Sequence, residues 1–97
     1  MKIIEEPIDF EWDEGNIGKN KKHGLEDGES EEPFFDEDKK LFKDNLHSVG
    51  EERYRLIGKT KKGRLLFIAF TKREKKIRII SARDINKKEV YLYEEAA

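Results

Sequence analysis

Apolar residues gather in the second half of the chain, where they fall into three runs. The segments "EERYRLIGK" (51–59), "RLLFIAFTK" (64–72) and "KIRIISAR" (76–83) are rich in Leu, β-branched and aromatic residues, a composition suited to a pleated, half-buried surface. They are joined by "TKKG" and by a charged loop around "REK". Connections this short cannot hold a parallel crossover, so the three strands are expected to form an antiparallel meander. The unbroken apolar run predicts residues 64–71 as the central strand, covered on both faces. Upstream, Ile8, Phe10 and Trp12 alternate with polar residues and predict a brief strand. Asp13 is placed to cap a short helix running toward a stop at Gly24, although Gly15 and Gly18 weaken it by about 1 kcal/mol each relative to Ala. A second short helix is expected over 26–32, ended by Pro33. In "NKKEVYLYEE" (86–95), Asn86 with Glu89 three positions on forms a capping-box signal for a C-terminal helix. Val90 and Tyr93, three apart, would seat that helix on the sheet. The expected fold class is α+β: an antiparallel sheet made of the three-strand meander and a short N-terminal strand, with short N-terminal helices and one C-terminal helix.

Composition tightens this picture. The 97 residues fit one domain spanning 1–97, with room for one core. A hydrophobic fraction of 35% against 44% charged would suit a disordered chain if apolar residues were evenly spread, but runs such as "LLFIAF" (65–70) concentrate them. There is no Cys, hence no disulfide and no thiolate metal site, and a cytoplasmic location is expected. The longest apolar run has six residues against the roughly 20 that a membrane span needs, and "MKIIEEPIDF" meets acid too early for a signal peptide. The net charge of −1 conceals two opposed halves. Residues 1–50 carry 7 Lys and Arg against 15 Asp and Glu, a net of −8; residues 51–97 carry 14 against 7, a net of +7. An anionic partner for the basic half is one reading, and two solvated halves the other. The acidic stretch "EDGESEEPFFDED" (26–38) is too short for a linker and too irregular for a calcium loop.

Five segments carry a resemblance: "FEWD" (10–13), "KHG" (22–24), "HSVGEERY" (47–54), "LIGKTKKGRLLFIAFT" (56–71) and "IRIISARDINKKEVYLYEE" (77–95). In this order they resemble the BrnT family, toxins of type II toxin-antitoxin modules, over nearly the whole chain and most strongly from Phe34 onward. The "GEER" and "ISAR" segments are the most telling. The resemblance implies a RelE-like fold and a metal-independent endoribonuclease that inhibits translation and growth. It also implies an RNA substrate, no cofactor, and neutralisation by a BrnA-like antitoxin that binds DNA in an autoregulatory complex.

Cleaving RNA without a metal requires activating a 2′-hydroxyl, stabilising charge on phosphorus and protonating the leaving 5′-oxygen. Arginine suits the second task, because its guanidinium stays charged and presents a planar fork to phosphate oxygens. Arg53 opens the first strong strand, and Arg78 and Arg83 lie on the third, where side chains from both can converge across one face. Alternation complicates this: Arg78 faces away from Ile77 and Ile79, whereas Arg83 has the parity of Ile79 and would face inward. Either the strand ends or bulges near Ser81 and Ala82, or Arg83 pairs with a carboxylate such as Glu52. His23 and His47 are the two histidines and the acid–base candidates, although His23 also suits a helix end interacting with carbonyls. Glu52 is a candidate base or orienter of arginine, or else an ordinary ion pair. Lys22, Lys59, Lys61, Lys62 and Lys76 are candidates for tracking phosphates. Trp12 and Tyr54 are candidates for stacking on unpaired bases, with Trp12 better suited to the core. Patterning alone favours a non-catalytic nucleic-acid or protein-binding module, because no constellation in it is diagnostic of chemistry. The family resemblance favours the nuclease.

Overall fold

The computed structural model describes Ile4, residues 6–48 and residues 50–94. Strands β1 (Asp9–Phe10), β2 (Lys40–Asp44), β3 (Arg53–Lys59), β4 (Leu65–Arg73) and β5 (Lys76–Asp84) form one sheet in the order β1-β5-β4-β3-β2. The pairs β2–β3, β3–β4 and β4–β5 are antiparallel, and β1 runs parallel to β5. Helices α1 (Asp27–Glu31) and α2 (Val90–Glu94) and two 3-10 helices, Lys19–His23 and Glu32–Phe35, complete an α+β fold. The meander forms as expected, and the N-terminal strand forms too, but as two residues running parallel to β5 rather than antiparallel. Strand β2 was not anticipated, because "KLFKD" places Leu41 and Phe42 side by side rather than in alternation.

One face of the sheet carries the core. Leu56, Leu66, Ile68, Phe70, Ile77, Ile79 and Ala82 are buried there beneath Leu25 and Phe34 from the helical segment. Phe34 meets Phe10 and Phe70 edge to face at centroid distances of 5.2 and 5.1 Å, and side chains of this size stabilise by roughly 1.5–3 kcal/mol each when fully buried. Strand β4 is central, but it is not fully covered on both sides. Leu65, Phe67 and Ala69 on the opposite face are only half-buried. That face carries arginines on the neighbouring strands, and α2 shields only one end of it: the Tyr93 hydroxyl donates to Asp36 at 2.7 Å, and the Lys40 and Lys59 ammonium groups lie over the Tyr93 ring.

The N-terminal segment departs from expectation in its caps. Asp13 caps no helix; its backbone carbonyl accepts from Asn16 and Ile17 in a turn, and its carboxylate accepts from the Gly15 N–H at 2.8 Å. The 3-10 helix Lys19–His23 starts instead after Gly18 and stops at Gly24, both in the left-handed region at φ 71° and 72°, where glycine carries no Cβ penalty. Pro33 does not end the second helix. Helix α1 finishes at Glu31, and Pro33 sits in the first turn of the next 3-10 helix, where its missing N–H costs nothing. At the other terminus the reciprocal bonds form, the Glu89 N–H donating to Asn86 Oδ1 and the Asn86 N–H to Glu89 Oε1, both at 3.0 Å, but they close the turn ahead of α2, which begins at Val90 rather than directly after Asn86. Residue 95, the last of that predicted stretch, lies outside the described residues.

Strand β5 resolves the parity of Arg83. Its register against β4 slips between Ala69 and Phe70, which pair with Ser81 and Ile79, so Ile80 is an extra residue. Ile77, Ile79 and Ala82 thereby all reach the core, and Arg78, Ser81 and Arg83 lie outside. The bulge falls just before the expected "SA" position. Beyond the end of β1, two buried asparagines continue the pairing of the β5 edge. Asn16 Nδ2 donates to the Ile79 carbonyl at 3.1 Å, and the Ala82 N–H donates to Asn20 Oδ1 at 3.0 Å.

Gly58 on β3 is pressed against the 3-10 helix, and a Cβ there would lie 2.8 Å from the Pro33 carbonyl oxygen and 3.0 Å from Pro33 Cβ. Gly58→Ala should therefore cost about 1–3 kcal/mol, read as a lower urea midpoint. Gly28→Ala in α1, where nothing lies within 4 Å of the new Cβ, should instead gain up to about 1 kcal/mol.

Candidate active site

Cross-strand register places Asp44, Arg53, Thr71 and Arg78 opposite one another on β2, β3, β4 and β5. Because directly paired residues share a face, these four side chains form one row across the open side of the sheet, about 14 Å long at the usual strand spacing. Thr71 is buried in the middle and donates its hydroxyl to the Glu52 carbonyl at 2.7 Å. A cleft of about 170 Å³ opens over this end of the sheet, lined by Lys19, Glu51, Arg53, Thr71, Arg73 and Arg78 among others. Four of these six are cations.

The arginines of the row differ in how they are held. Arg78 grips Asp13 through two nitrogens, Nη1 at 2.9 Å and Nη2 at 2.8 Å, and reaches Glu11 at 3.0 Å. The loop carrying these acids comes so close that a Cβ on Gly15 would collide with Arg78 Nη2. The Arg78 and Gly15 hydrogen bonds hold the Asp13 carboxyl below its usual value. Arg73 bonds Glu51 at 2.9 Å. Arg53 is different: among the described residues its guanidinium has no hydrogen bond or ion pair, although its backbone N–H donates to Ser48 Oγ.

At the β2 end of the row the Asp44 carboxylate is buried and accepts from His47 Nδ1 at 2.9 Å and from Arg55 Nε at 3.1 Å. Burial acts to raise this carboxyl, but the His47 and Arg55 hydrogen bonds outweigh it and hold the group below the ordinary value. With Nδ1–H committed to Asp44, the lone pair of neutral His47 resides on Nε2. The His47 side chain is 55% exposed.

The structure thus brings His47, Arg53 and Arg78 onto one line and disperses the other expected residues. Arg83 shares the face but sits opposite Phe67, four residues along β4 from Thr71 and so about 13 Å away. It pairs with Glu89 at 2.8 and 2.9 Å, not with Glu52. Glu52 turns to the other side of the sheet, where it bonds Lys43 and the Tyr54 hydroxyl. His23 is exposed at the end of its 3-10 helix, and it is Arg64, bridging to Asp84, that donates to the His23 and Gly24 carbonyls. Tyr54 stacks on Phe70 at 5.5 Å, and Trp12 packs against the core with its Nε1–H donating to Glu31 at 2.6 Å; both belong to the core side rather than the arginine face. Lys61 and Lys62 lie in the β3–β4 turn, Lys59 at its edge, Lys76 at the opposite end of the sheet and Lys22 on the 3-10 helix, so these five make no continuous track.

Sequence reasoning overlooked Arg55, Arg73, Glu51 and Lys19. The spacing "RYR" carried the signal for Arg55, which must share the face of Arg53. Arg73 and Glu51 could be found only once the strand ends were known. Among the described residues, no group of three or more His, Cys, Asp or Glu is arranged to hold a metal ion, and no helix is long and apolar enough to cross a membrane.

Asp13, Asp44, Asp84 and Glu89 all titrate below their usual 3.8 or 4.5 when folded. A depressed folded pKa contributes stability that is complete above the unfolded value and lost as pH falls through the folded one. The urea midpoint should therefore decline as pH drops below about 4.5, and Asp44→Asn should make that decline shallower.

No curated protein matches the chain. Residues 12–89, which contain the whole row together with its bulge and its covering loop, match the family described as ribonuclease toxin, BrnT, of type II toxin-antitoxin system. The match spans most of the sequence, and the chain belongs to the BrnT family of ribonuclease toxins.

Proposed function

We propose that the chain is a metal-independent endoribonuclease whose reaction centre is the row from His47 and Asp44 through Arg53 to Arg78. The observation that carries this reading is the Arg53 guanidinium, unpaired among the described residues, in the same row as an Asp44-oriented imidazole. His47 Nε2 takes the proton of a ribose 2′-hydroxyl, and the 2′-oxygen attacks phosphorus. The bond from phosphorus to the 5′-oxygen breaks, and the departing oxygen takes a proton from water. The products are a 2′,3′-cyclic phosphate and a 5′-hydroxyl end. Arg53 meets the phosphate oxygens as negative charge builds, with Arg73 and Arg78 as flanking fixed charge. Preorganised donors of this kind are often the largest catalytic contribution. Asp44 keeps the imidazole in one tautomer and orientation, as in other carboxylate–histidine pairs.

The remaining family-implied features extend this reading. RNA cleavage stops translation and growth, and a BrnA-like antitoxin restores growth by covering the arginine face. Arg83 is supporting charge on this face, whereas Glu52 and His23 take no part.

The purified chain should cleave RNA in EDTA and leave cyclic-phosphate ends. Arg53→Ala should lower kcat/KM by about 10²–10³ and His47→Gln by about 10²–10⁴, both without loss of fold by circular dichroism. Glu52→Gln should change neither rate nor fold. Undiminished cleavage by both Arg53→Ala and His47→Gln would sink the proposed centre.

A further inference from the structure

Beside the row lies a second cleft on the same face, about 400 Å³ in volume, lined by Phe42, Asp44, Leu46, Arg55, Phe67 and Leu92 among others. We propose that it is the subsite for one unpaired nucleobase of the RNA, next to the phosphate held by Arg53; the proposal rests on the nuclease reading above for its substrate.

Position is the first argument. Asp44 belongs both to this cleft and to the row. The paired residues Phe42 and Arg55 lie two positions along their strands from Asp44 and Arg53, roughly 7 Å away. A nucleotide whose phosphate meets Arg53 therefore has a neighbouring base within reach of the cleft.

The chemistry of the walls is the second. In a chain whose residues are 44% charged, Leu46 stands 84% exposed and Phe42 37% exposed at the mouth of this cleft. The floor is flat and rigid: the Arg55 guanidinium lies over the Phe67 ring at 5.3 Å, and Arg83 lies over it at 4.5 Å. Arg55 is fixed in turn by Asp44, and Arg83 by Glu89. Aromatic rings and guanidinium planes are the surfaces on which splayed bases stack. Arg83 acquires a place in this arrangement as a positioning residue that holds the ring. The exposed Asn45 at the rim offers an amide donor and acceptor to a base edge.

Charge selects RNA over a protein segment as the occupant. The single carboxylate of the lining, Asp44, is already matched by Arg55 and His47, and Lys43 is held by Glu52, which leaves the neighbouring Arg53 to face an incoming polyanion.

The test compares a fluorescent tetraribonucleotide with the same backbone made wholly abasic, both 2′-O-methylated to prevent cleavage, by anisotropy. Wild type should bind the base-bearing tetramer about tenfold more tightly. Phe42→Ala and Leu46→Ser should abolish that difference and leave abasic affinity unchanged, which also reports that the variants are folded. Equal wild-type affinities, a difference that survives both substitutions, or equal losses on both tetramers would each overturn the subsite. So would a Leu46→Ser variant that keeps the tetramer difference while losing affinity for an antitoxin, the mark of a protein-docking surface. Cleavage of unmodified RNA in EDTA by the same wild-type preparation is read separately. Base-dependent binding without cleavage keeps the subsite and removes the nuclease reading, and cleavage without base-dependent binding does the reverse.

Discussion

Strand β5 must deliver Ile77 and Ile79 to the core and then return Ala82 to it, and the extra residue at Ile80 reconciles those demands. A regular strand would have sent Arg83 toward the core and Ala82 to the open face. Burying that guanidinium without its carboxylate would cost several kcal/mol. On its other side β5 has no partner strand past Ile77, because β1 contributes only two residues. The side chains of Asn16 and Asn20 satisfy backbone groups on that edge, each of which would otherwise forfeit roughly 1–3 kcal/mol if buried unpaired. The same Asn16 anchors the turn that lays Asp13 on Arg78: its Oδ1 accepts from the Asp13 N–H at 2.8 Å, and its Nδ2 donates to the Glu11 carbonyl at 2.9 Å. Sheet edge, covering loop and arginine geometry are one construction.

The opposed charges of the two halves acquire a concrete meaning in this construction. Acids from the first half neutralise arginines of the second: Glu11 and Asp13 hold Arg78, Asp44 holds Arg55, and Glu29 reaches Arg64. Local pairs complete the pattern, with Glu51 on Arg73 and Glu89 on Arg83. Five of the six arginines are therefore compensated from within, and the sixth, Arg53, for which no ion pair forms among the described residues, occupies the middle of the row.

Elements with strong alternation or a reciprocal cap were legible in the sequence. The three main strands declared themselves through β-branched and aromatic runs, and Asn86 with Glu89 marked the last helix by a hydrogen-bond exchange that needs only three-residue spacing. Strand β2 escaped because its pairing to β3 is a tertiary demand, with Leu41 turned to the core and Phe42 left half out. The cap at Asp13 escaped because a carboxylate that could cap a helix was claimed by an arginine 65 residues away, and Pro33 escaped because its ring suits the first turn of a following 3-10 helix as well as the end of an α-helix. The site divides along the same line. Parity placed Arg78 on the open face and exposed the conflict at Arg83, but no local signal could show that the alternation of β3 extends back through Glu52 and Glu51, or that Asp44 lies opposite Arg53.

Internal compensation of five of the six arginines changes what happens when a polyanion arrives. Bare lysines and arginines gain affinity for nucleic acid largely through the release of counterions condensed on the phosphates. Here the incoming phosphates must also trade places with carboxylates that stay tethered to the same fold, so part of that entropic gain is spent on displacing the protein's own anions. The paired arginines therefore add less to the pull on a polyanion than the formal +7 of the basic half suggests, and among the described residues Arg53 is the guanidinium left open.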